Sequence, residues 1–523
     1  MQIDFKLLTI IGLSTTLNSC VNSPAGKPQQ PNIIYIMSDD HAYQAISAYG
    51  GPLKDLAPTP NIDRIAENGM RFNRCLVTNS ISGPCRAVVL TGKYSHINGF
   101  LANERQPAFD GSQQTFPKLL QASGYSTAMI GKWHLGSDPT GFDFWDILPG
   151  QGNYYNPDFI TANGKQREKG YVTEIITEKS LKWLNSVKDS GKPFMLMMHH
   201  KAPHREWQPG PNELSLYKDV IFPEPSTLFD DYANRGTAEK TQDMTISKTM
   251  RLEQDNKLYT DHSRMNNTGL NRMDTGQMEA WNSVYDPIIK QFYEAGLTGD
   301  ELVRFKYQRY MQDYLACIAA VDKSVGEVLN FLKENGLDKN TIVIYTSDQG
   351  FYLGEHGWFD KRWMFEQSYR TPLLVKWPGV TEPGSVNGDM VSNLDYAETI
   401  LEMAGVAVPA DMQGSSMVPV LKGKTPENWR KEHYYHYYEY PGSHMVKRHY
   451  GISTERYKLI HYYYDIDEWE LYDIQADPLE MKNVYNDPAH SSVKADLHKR
   501  LSELMVMYKD SEELAKSFLP ANR

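Results

Sequence analysis

Ile33-Ile34-Tyr35-Ile36-Met37-Ser38-Asp39-Asp40 is a run of five apolar or aromatic residues that stops in a hydroxyl and two carboxylates. The run is continuous rather than alternating, as a strand covered on both faces requires. Three later stretches repeat the design. Residues 125–130 lead into Gly131-Lys132-Trp133-His134, residues 194–198 into His199-His200 and then His204, and residues 342–346 into Ser347-Asp348-Gln349. Helical patterns lie between them. Residues 60–69 open on Pro60, carry Ile62, Ile65 and Ala66 and stop at Gly69; residues 117–124 carry Leu119, Leu120 and Ala122; residues 302–335 form a long stretch ending before Gly336. Buried strands alternating with such helices predict an α/β fold, a large and mostly parallel sheet sandwiched by helices. Ligands of open α/β sheets bind outside the carboxyl ends of the strands. Four distant parts of the chain are therefore expected to converge on one rim.

The chemistry of those ends is specific. Asp39, Asp40, Asp348 and the amide oxygen of Gln349 make a hard oxygen set, suited to Ca²⁺ or Mg²⁺ rather than zinc. A turn or cap would also use an Asp pair, but two adjacent carboxylates behind a buried strand repel each other unless a cation lies between them. A further segment is Ser82-Gly83-Pro84-Cys85-Arg86, continuing to Thr91-Gly92-Lys93. Pro84 suits the first turn of a helix and Ser82 its N-cap, at the positive end of the dipole with Arg86 one turn on. On helix physics alone Ser82 reads as a plain cap.

The rest of the chain bounds the reading. The 523 residues are 40% hydrophobic, 23% charged and 12% aromatic, which excludes disordered, collagen-like and coiled-coil chains. Mean hydropathy is −0.55 and no apolar run reaches the roughly 18 residues of a membrane span, so a polytopic membrane protein is excluded. A net charge of −11 argues against a general nucleic-acid binder. Residues 205–299 are polar and read as an excursion from the sheet, carrying loops near a substrate or a surface insertion, with some short helices. From residue 431 eleven tyrosines lie between Tyr434 and Tyr472, among His433, His436, His444, His449 and His461. Residues 434–440, 457–464 and 469–472 read as strands and 492–508 as a helix. This predicts a smaller C-terminal antiparallel sheet plus helix over 426–523, beyond a main domain at 31–425 and a linker near 421–430. At the other end, Lys6, a short apolar stretch at 7–13 and Leu17-Asn18-Ser19-Cys20 predict a signal peptide over 1–19, lipidation of Cys20 and a polar tether over 20–30. The expected location is the periplasm, lipid-anchored, with the cell surface as the alternative. Beyond Cys20, the cysteines Cys75, Cys85 and Cys317 match no disulfide framework or zinc spacing and read as buried small residues.

Ser82-x-Pro84-x-Arg86, with Thr91-Gly92 five residues later, resembles the signature of type I, formylglycine-dependent sulfatases of the alkaline phosphatase superfamily. Asp39-Asp40 and Asp348-Gln349 are similar to the family's two metal pairs, where Asn is the commoner partner of the second. Lys132-x-His134, His204 in Ala202-Pro203-His204, Lys361, and the ending Glu470-Leu471-Tyr472-Asp473 to Asp477-Pro478 fall in the family's order, so the likeness runs from about Pro31 to Asn483.

The resemblance implies that Ser82 is oxidised to Cα-formylglycine (3-oxoalanine) by an anaerobic radical maturase of a bacterial host, that Ser82 joins the metal ligands, and that Cys85 is a bystander. It implies attack on sulfur by the hydrated aldehyde, with Asp348 taking the proton. Arg86, Lys132 and Lys361 would neutralise sulfate, His204 with Lys361 would protonate the leaving sugar oxygen, and His134 would serve the elimination of sulfate. The metal would be Ca²⁺, with Mg²⁺ as the alternative. The stretch Gly354-Glu355-His356-Gly357-Trp358-Phe359-Asp360-Lys361-Arg362 resembles bacterial carbohydrate sulfatases, and Asp360-Lys361-Arg362 resembles N-acetylglucosamine-6-sulfatases. The expected substrate is a 6-O-sulfated glucosamine or N-acetylglucosamine at the end of a heparin or heparan sulfate chain. Asp360 and His444 are the candidate sugar contacts, Asp360 having a surface pair with Arg362 as its other reading. Competing readings are a sulfatase for 2-O, 3-O or 4-O esters of mucin or chondroitin sugars, a phosphoester hydrolase of the same superfamily, and a non-catalytic glycan-binding lipoprotein.

Overall fold

The computed structural model describes residue 1, residues 30–259 and residues 269–519. The predicted leader, Cys20 and most of the tether lie outside the described residues.

Asn32–Ser38 is the central strand of a large sheet. Phe194–His200 and Thr341–Ser347 flank it, both parallel to it, and Ser126–Lys132 and then Phe144–Leu148 continue the parallel order on one side. The hairpin Asp158–Thr161 and Gly164–Arg167 closes that side in antiparallel fashion. On the other side Arg370–Lys376 and Met70–Leu76 run antiparallel to their inner neighbours, with the short strands Ser385–Asn387 and Val391–Ser392 beyond. The core is thus parallel, as the four apolar runs predict, and the borders are mixed.

Register sets the site. Ser38 is level with Ser347 and with His200, and Gly131 with His199. Asp39, Asp348 and Lys132 therefore leave the sheet at one height. The central strands bury both faces by alternation. Ile34, Ile36, Ala128, Ile130, Leu196, Met198, Val343 and Tyr345 pack one way, with residues of the helices Pro60–Glu67, Val172–Val187 and Gly299–Glu334. Ile33, Tyr35, Met37, Met129, Met195, Met197, Ile342 and Ile344 pack the other way, with the helices Ser82–Thr91, Phe116–Ala122 and Tyr396–Met403.

A second, four-stranded antiparallel sheet follows: Glu432–Tyr437, His449–Thr454, Tyr457–Tyr462 and Glu468–Asp473, in chain order. One face packs Tyr434, Ile452, Leu459 and Leu471 against Leu497, Leu501 and Leu504 of the helix Ser491–Met507. The other packs Tyr435, Tyr437, Ile460, Tyr462 and Tyr472 against Leu76, Val77, Ile81 and Cys85 of the main sheet region. The described residues from Pro31 onward make one compact unit.

Three local expectations need correction. The strand His449–Thr454 was absent from the sequence reading, because His449, Gly451, Ser453 and Thr454 dilute its apolar signal; it pairs on both edges. The polar excursion holds more than short helices: Thr275–Ala295 is a 21-residue helix opened by a reciprocal Asp274–Gln277 capping box. It buries only Trp281, Tyr285 and Phe292, too narrow a stripe to show in its composition. Ser82 is the first residue of its helix, Ile81 holds the cap position, and no side chain caps that end.

Candidate active site

Asp39 and Asp40 follow the central strand in a tight turn, and Asp40 sits at φ +65°. Tyr314 of the long helix Gly299–Glu334 holds the turn: its hydroxyl donates to the Asp40 carbonyl at 2.8 Å and accepts from the Ala42 amide at 2.8 Å. The Asp40 amide donates to Asp348 Oδ1 at 3.1 Å, fastening the end of Asn32–Ser38 to the end of Thr341–Ser347. Oxygens of Asp39, Asp40 and Asp348 all lie within 4.8 Å of one another and all three residues are buried. Burial drives the Asp40 pKa up to about 8, with Lys361 opposing and Asp39 and Asp348 adding to the rise. Burial and Asp39 push Asp348 to about 6. Burial would raise Asp39 too, but Lys132, His204 and Arg86 together hold its carboxyl well below the usual range. Three carboxylates at this spacing do not all ionise comfortably without a cation.

Gln349 closes the set. Its amide nitrogen donates to Asp40 Oδ1 at 2.5 Å and to Asp348 Oδ1 at 2.9 Å, while its buried Oε1 has no partner among the described residues. Rotating the amide about its terminal bond exchanges oxygen for nitrogen at the same place. The cluster then presents four oxygen donors, a composition that fits a hard divalent cation.

The Ser82 hydroxyl donates to Asp39 Oδ1 at 3.1 Å. It is fully buried and leaves its own helix end uncapped, so the plain-cap reading fails. Arg86, one turn on, donates to Asp348 Oδ2 at 3.1 Å, to Asp39 Oδ1 at 3.4 Å and to the Lys132 carbonyl at 2.6 Å. Lys132 bonds Asp39 directly and Gln151 Oε1 at 2.5 Å. The backbone brings these cations together because Gly131, at φ +105°, lies so close to the His199 carbonyl that a Cβ there would sit 1.9 Å from it. His134, at φ +58°, sets its backbone carbonyl against Gly83, next to Ser82. Burial and Lys132 hold the imidazole well below its usual pKa, and its buried Nδ1 has no partner among the described residues. Cys85 is buried with Sγ on the Asn79 carbonyl at 2.9 Å, a packing role.

Lys361 caps the acidic cluster from the other side, donating to both Asp40 oxygens at 2.5 and 2.7 Å. Burial opposes its charge, but Asp40, Asp360 and Asp39 outweigh burial and raise its pKa. His204 Nε2 stands 3.7 Å from Asp40 Oδ2, and Nδ1 donates to the Arg205 carbonyl at 2.6 Å. Above them opens a cavity of about 570 Å³ that His204, Lys361, Asp360, Arg362 and His444 line. Asp360 is 7% exposed rather than a surface charge. Its Oδ2 accepts from His444 Nε2 at 3.0 Å, and Arg362 stands 3.6 Å away. Burial would raise its pKa, but Lys361, His444 and Arg362 hold the carboxyl well below the usual range. Asp360, Arg362 and His444 all have φ in the left-handed region, between +64° and +91°. Such strain gathers where a surrounding structure fixes side chains for a task.

The structure thus brings Asp39, Asp40, Ser82, Arg86, Lys132, His134, His204, Asp348, Gln349 and Lys361 around one centre, with Asp360 and His444 beside it. Sequence reasoning missed Asn103, Gln151 and the role of Arg362. Asn103 Oδ1 accepts from the Gly83 amide at 2.9 Å, and the Asn103 backbone amide donates to Glu439 Oε2 at 2.6 Å; Glu439 Oε1 accepts from Arg362 Nη1 at 2.9 Å. Asn103 and Arg362 follow no continuous apolar run, and the strand Phe144–Leu148 that precedes Gln151 is interrupted by Asp146, so no clear strand-end signal marks them.

Residues 31–406 match the family described as sulfatase. The chain belongs to the sulfatase family. Residues 354–507 of this sulfatase also match the family described as N-sulphoglucosamine sulphohydrolase, C-terminal. An N-acetylglucosamine-6-O-sulfatase of Bacteroides thetaiotaomicron is 50% identical over 517 residues, covering 97% of this chain and 91% of the relative. A solved structure in complex with its substrate D-glucosamine-2-N,6-O-disulfate is 50% identical, with a TM-score of 0.89 over 92% of this chain and 98% of that one. An N-acetylglucosamine-6-sulfatase of Capra hircus is 27% identical, covering 79% of this chain and 67% of its own.

Proposed function

We propose that this sulfatase is an exo-acting hydrolase that removes 6-O-sulfate from N-acetylglucosamine or glucosamine residues of heparin or heparan sulfate, with Ser82 matured to formylglycine. One observation carries the reading: Ser82 turns its hydroxyl onto Asp39, between Arg86, Lys132 and the acidic cluster. The 50% identity to an N-acetylglucosamine-6-O-sulfatase supports the sugar and the position.

Asp39, Asp40, Asp348, Gln349 and position 82 would hold the divalent cation, Ca²⁺ or else Mg²⁺, which supplies Lewis acidity and offsets sulfate charge. Maturation of Ser82 supplies an aldehyde whose hydrate can expel sulfate without external water attacking an inert ester. The chain's own residues do the rest. Arg86, Lys132 and Lys361 neutralise the sulfate oxygens and the charge that grows on them in transit. Asp348 accepts the proton of the attacking hydroxyl. His204 commits Nδ1 to a backbone carbonyl and presents Nε2 to the pocket; burial and Lys132 lower its pKa, and a sulfate bound beside it would favour the imidazolium, whose Nε2 proton would pass to the departing sugar oxygen beside Lys361. His134, neutral and with a bare buried nitrogen, accepts the second hydroxyl's proton as sulfate leaves. Asp360 accepts from sugar hydroxyls, with His444 and Arg362 holding it ionised.

The test is expression in an anaerobe that carries a radical sulfatase maturase. The expected result is sulfate release from N-acetylglucosamine 6-sulfate and a Ser82 peptide lighter by two hydrogens in mass spectrometry. Active native protein with unmodified Ser82, or phosphate release in place of sulfate, overturns the reading. Export with a lipid on Cys20 belongs to the same proposal. Labelled palmitate should enter the native protein and not a Cys20→Ala variant.

A further inference from the structure

The cavity above the site holds more positive charge than one sulfate ester uses. Its inner cations are already engaged. Lys361 is bonded to Asp40, and Arg362 to Glu439. Arg205 makes two bonds to Asp255, at 2.6 and 2.7 Å. Two cations on the rim are not engaged in this way. Lys248 lines the cavity and is exposed; its backbone amide donates to Thr245 Oγ1 at 3.1 Å, while its side-chain ammonium has no hydrogen-bond or ion-pair partner among the described residues. Arg251 lines it too, with its side chain 53% exposed and its nearest carboxylate, Asp255, 3.9 Å away and already taken by Arg205. Asp243 on the same segment accepts the Thr249 hydroxyl rather than pairing with Lys248.

The segment that carries these cations is fixed. The Phe359 amide donates to the Met244 carbonyl at 3.2 Å, the Ile246 amide to the Gly357 carbonyl at 2.9 Å, and Thr245 bridges Trp358. Lys306 of the long helix holds the carbonyls of Ile246 and Ser247 at 3.3 and 3.0 Å. Lys248 and Arg251 are therefore anchored beside Asp360 and Lys361, on the polar excursion. An exposed charge pays little penalty until something anionic docks, and then a pair of them gives affinity and orientation.

We propose that Lys248 and Arg251 form a second anion subsite, which takes a negatively charged substituent carried by the substrate besides the sulfate to be cleaved. The inference rests on the carbohydrate sulfatase reading above. A sulfated amino sugar offers two sources for that anion: an N-sulfate on the same ring, or the carboxylate of an adjoining uronic acid.

The experiment compares three substrates: N-acetylglucosamine 6-sulfate, glucosamine 2-N,6-O-disulfate, and a disaccharide with N-acetylglucosamine 6-sulfate at its non-reducing end linked to a uronic acid. In a Lys248→Gln, Arg251→Gln double variant, kcat/KM for a doubly anionic substrate relative to the first should fall about tenfold, through KM. Lys248→Arg should keep the wild-type ratio. A fall confined to the disulfate assigns the N-sulfate; one confined to the disaccharide assigns the carboxylate. An unchanged ratio, or an equal loss on all three substrates, overturns the proposal. Calorimetric binding of glucosamine 2-N-sulfate and of the disaccharide lacking its 6-sulfate runs in parallel. If wild type cleaves none of the three, the activity reading falls. The subsite then stands on an affinity for one of these two probes that drops in the double variant and weakens with salt, and is overturned by equal affinities for both.

Discussion

His204 gives its Nδ1 hydrogen to the carbonyl of the next residue and so has one nitrogen left for chemistry. His204→Ala should lower kcat on the sugar sulfate by about 10²- to 10⁴-fold. An aryl sulfate with an acidic phenol needs little proton donation and should lose far less; equal losses on both esters would remove His204 from the acid role. At this scale much of the site was legible. Asp39, Asp348, Lys132 and His204 follow buried apolar runs, and such runs end on one rim. Two things were not legible. Which way an amide points, as at Gln349, is decided by neighbours far away in sequence. Arg362, Asn103 and Gln151 sit in loops whose position only the folded chain defines.

Gly131 is the penultimate residue of the strand Ser126–Lys132 and delivers Lys132 to Arg86. Gly131→Ala places a Cβ against the His199 carbonyl at a positive φ and should cost about 1–3 kcal/mol. The expected outcome is a lower Tm together with a lower kcat/KM, because Lys132 moves with its strand end; thermal scans and sulfate release check both. The helix Tyr396–Met403 makes a pH prediction. Burial and Asp395 push Glu398 up to about 8, against roughly 4.3 in an unfolded chain. Between those values the folded protein keeps a proton that the unfolded chain has lost, so this group's contribution to stability falls as pH rises through the window. Glu398→Gln keeps the acceptor for the Gly414 amide, now 2.6 Å from Oε1, and removes the titration. Its Tm should exceed that of wild type by more at about pH 8.5 than at about pH 5.5; a constant difference would count against the assignment. Elements with strong apolar continuity or periodicity were readable from sequence. The strand His449–Thr454 and the helix Thr275–Ala295 were not, because each buries a narrow or polar stripe against partners that composition does not reveal.

Across the whole molecule the two sheets share apolar surface, since Leu76, Ile81 and Cys85 pack with Tyr435, Ile460 and Tyr472. The C-terminal sheet should therefore melt with the main one, in a single calorimetric transition at pH 7. The acidic cluster adds a second outcome. Removing divalent ions should lower Tm by leaving three close carboxylates uncompensated, and Ca²⁺ should restore it by adding about 2.7 kcal/mol of stability at a hundredfold excess over Kd; a Tm indifferent to chelator would argue against a cation there. Glu439, just past the strand Glu432–Tyr437, bridges two loops. One of its oxygens steadies Asn103 beside the nucleophile helix and the other steadies Arg362 in the sugar cavity. Grafting the terminal sheet of a relative onto this chain would thus rewire reactivity and selectivity at once, unless the 101–106 loop travelled with it as a matched cassette.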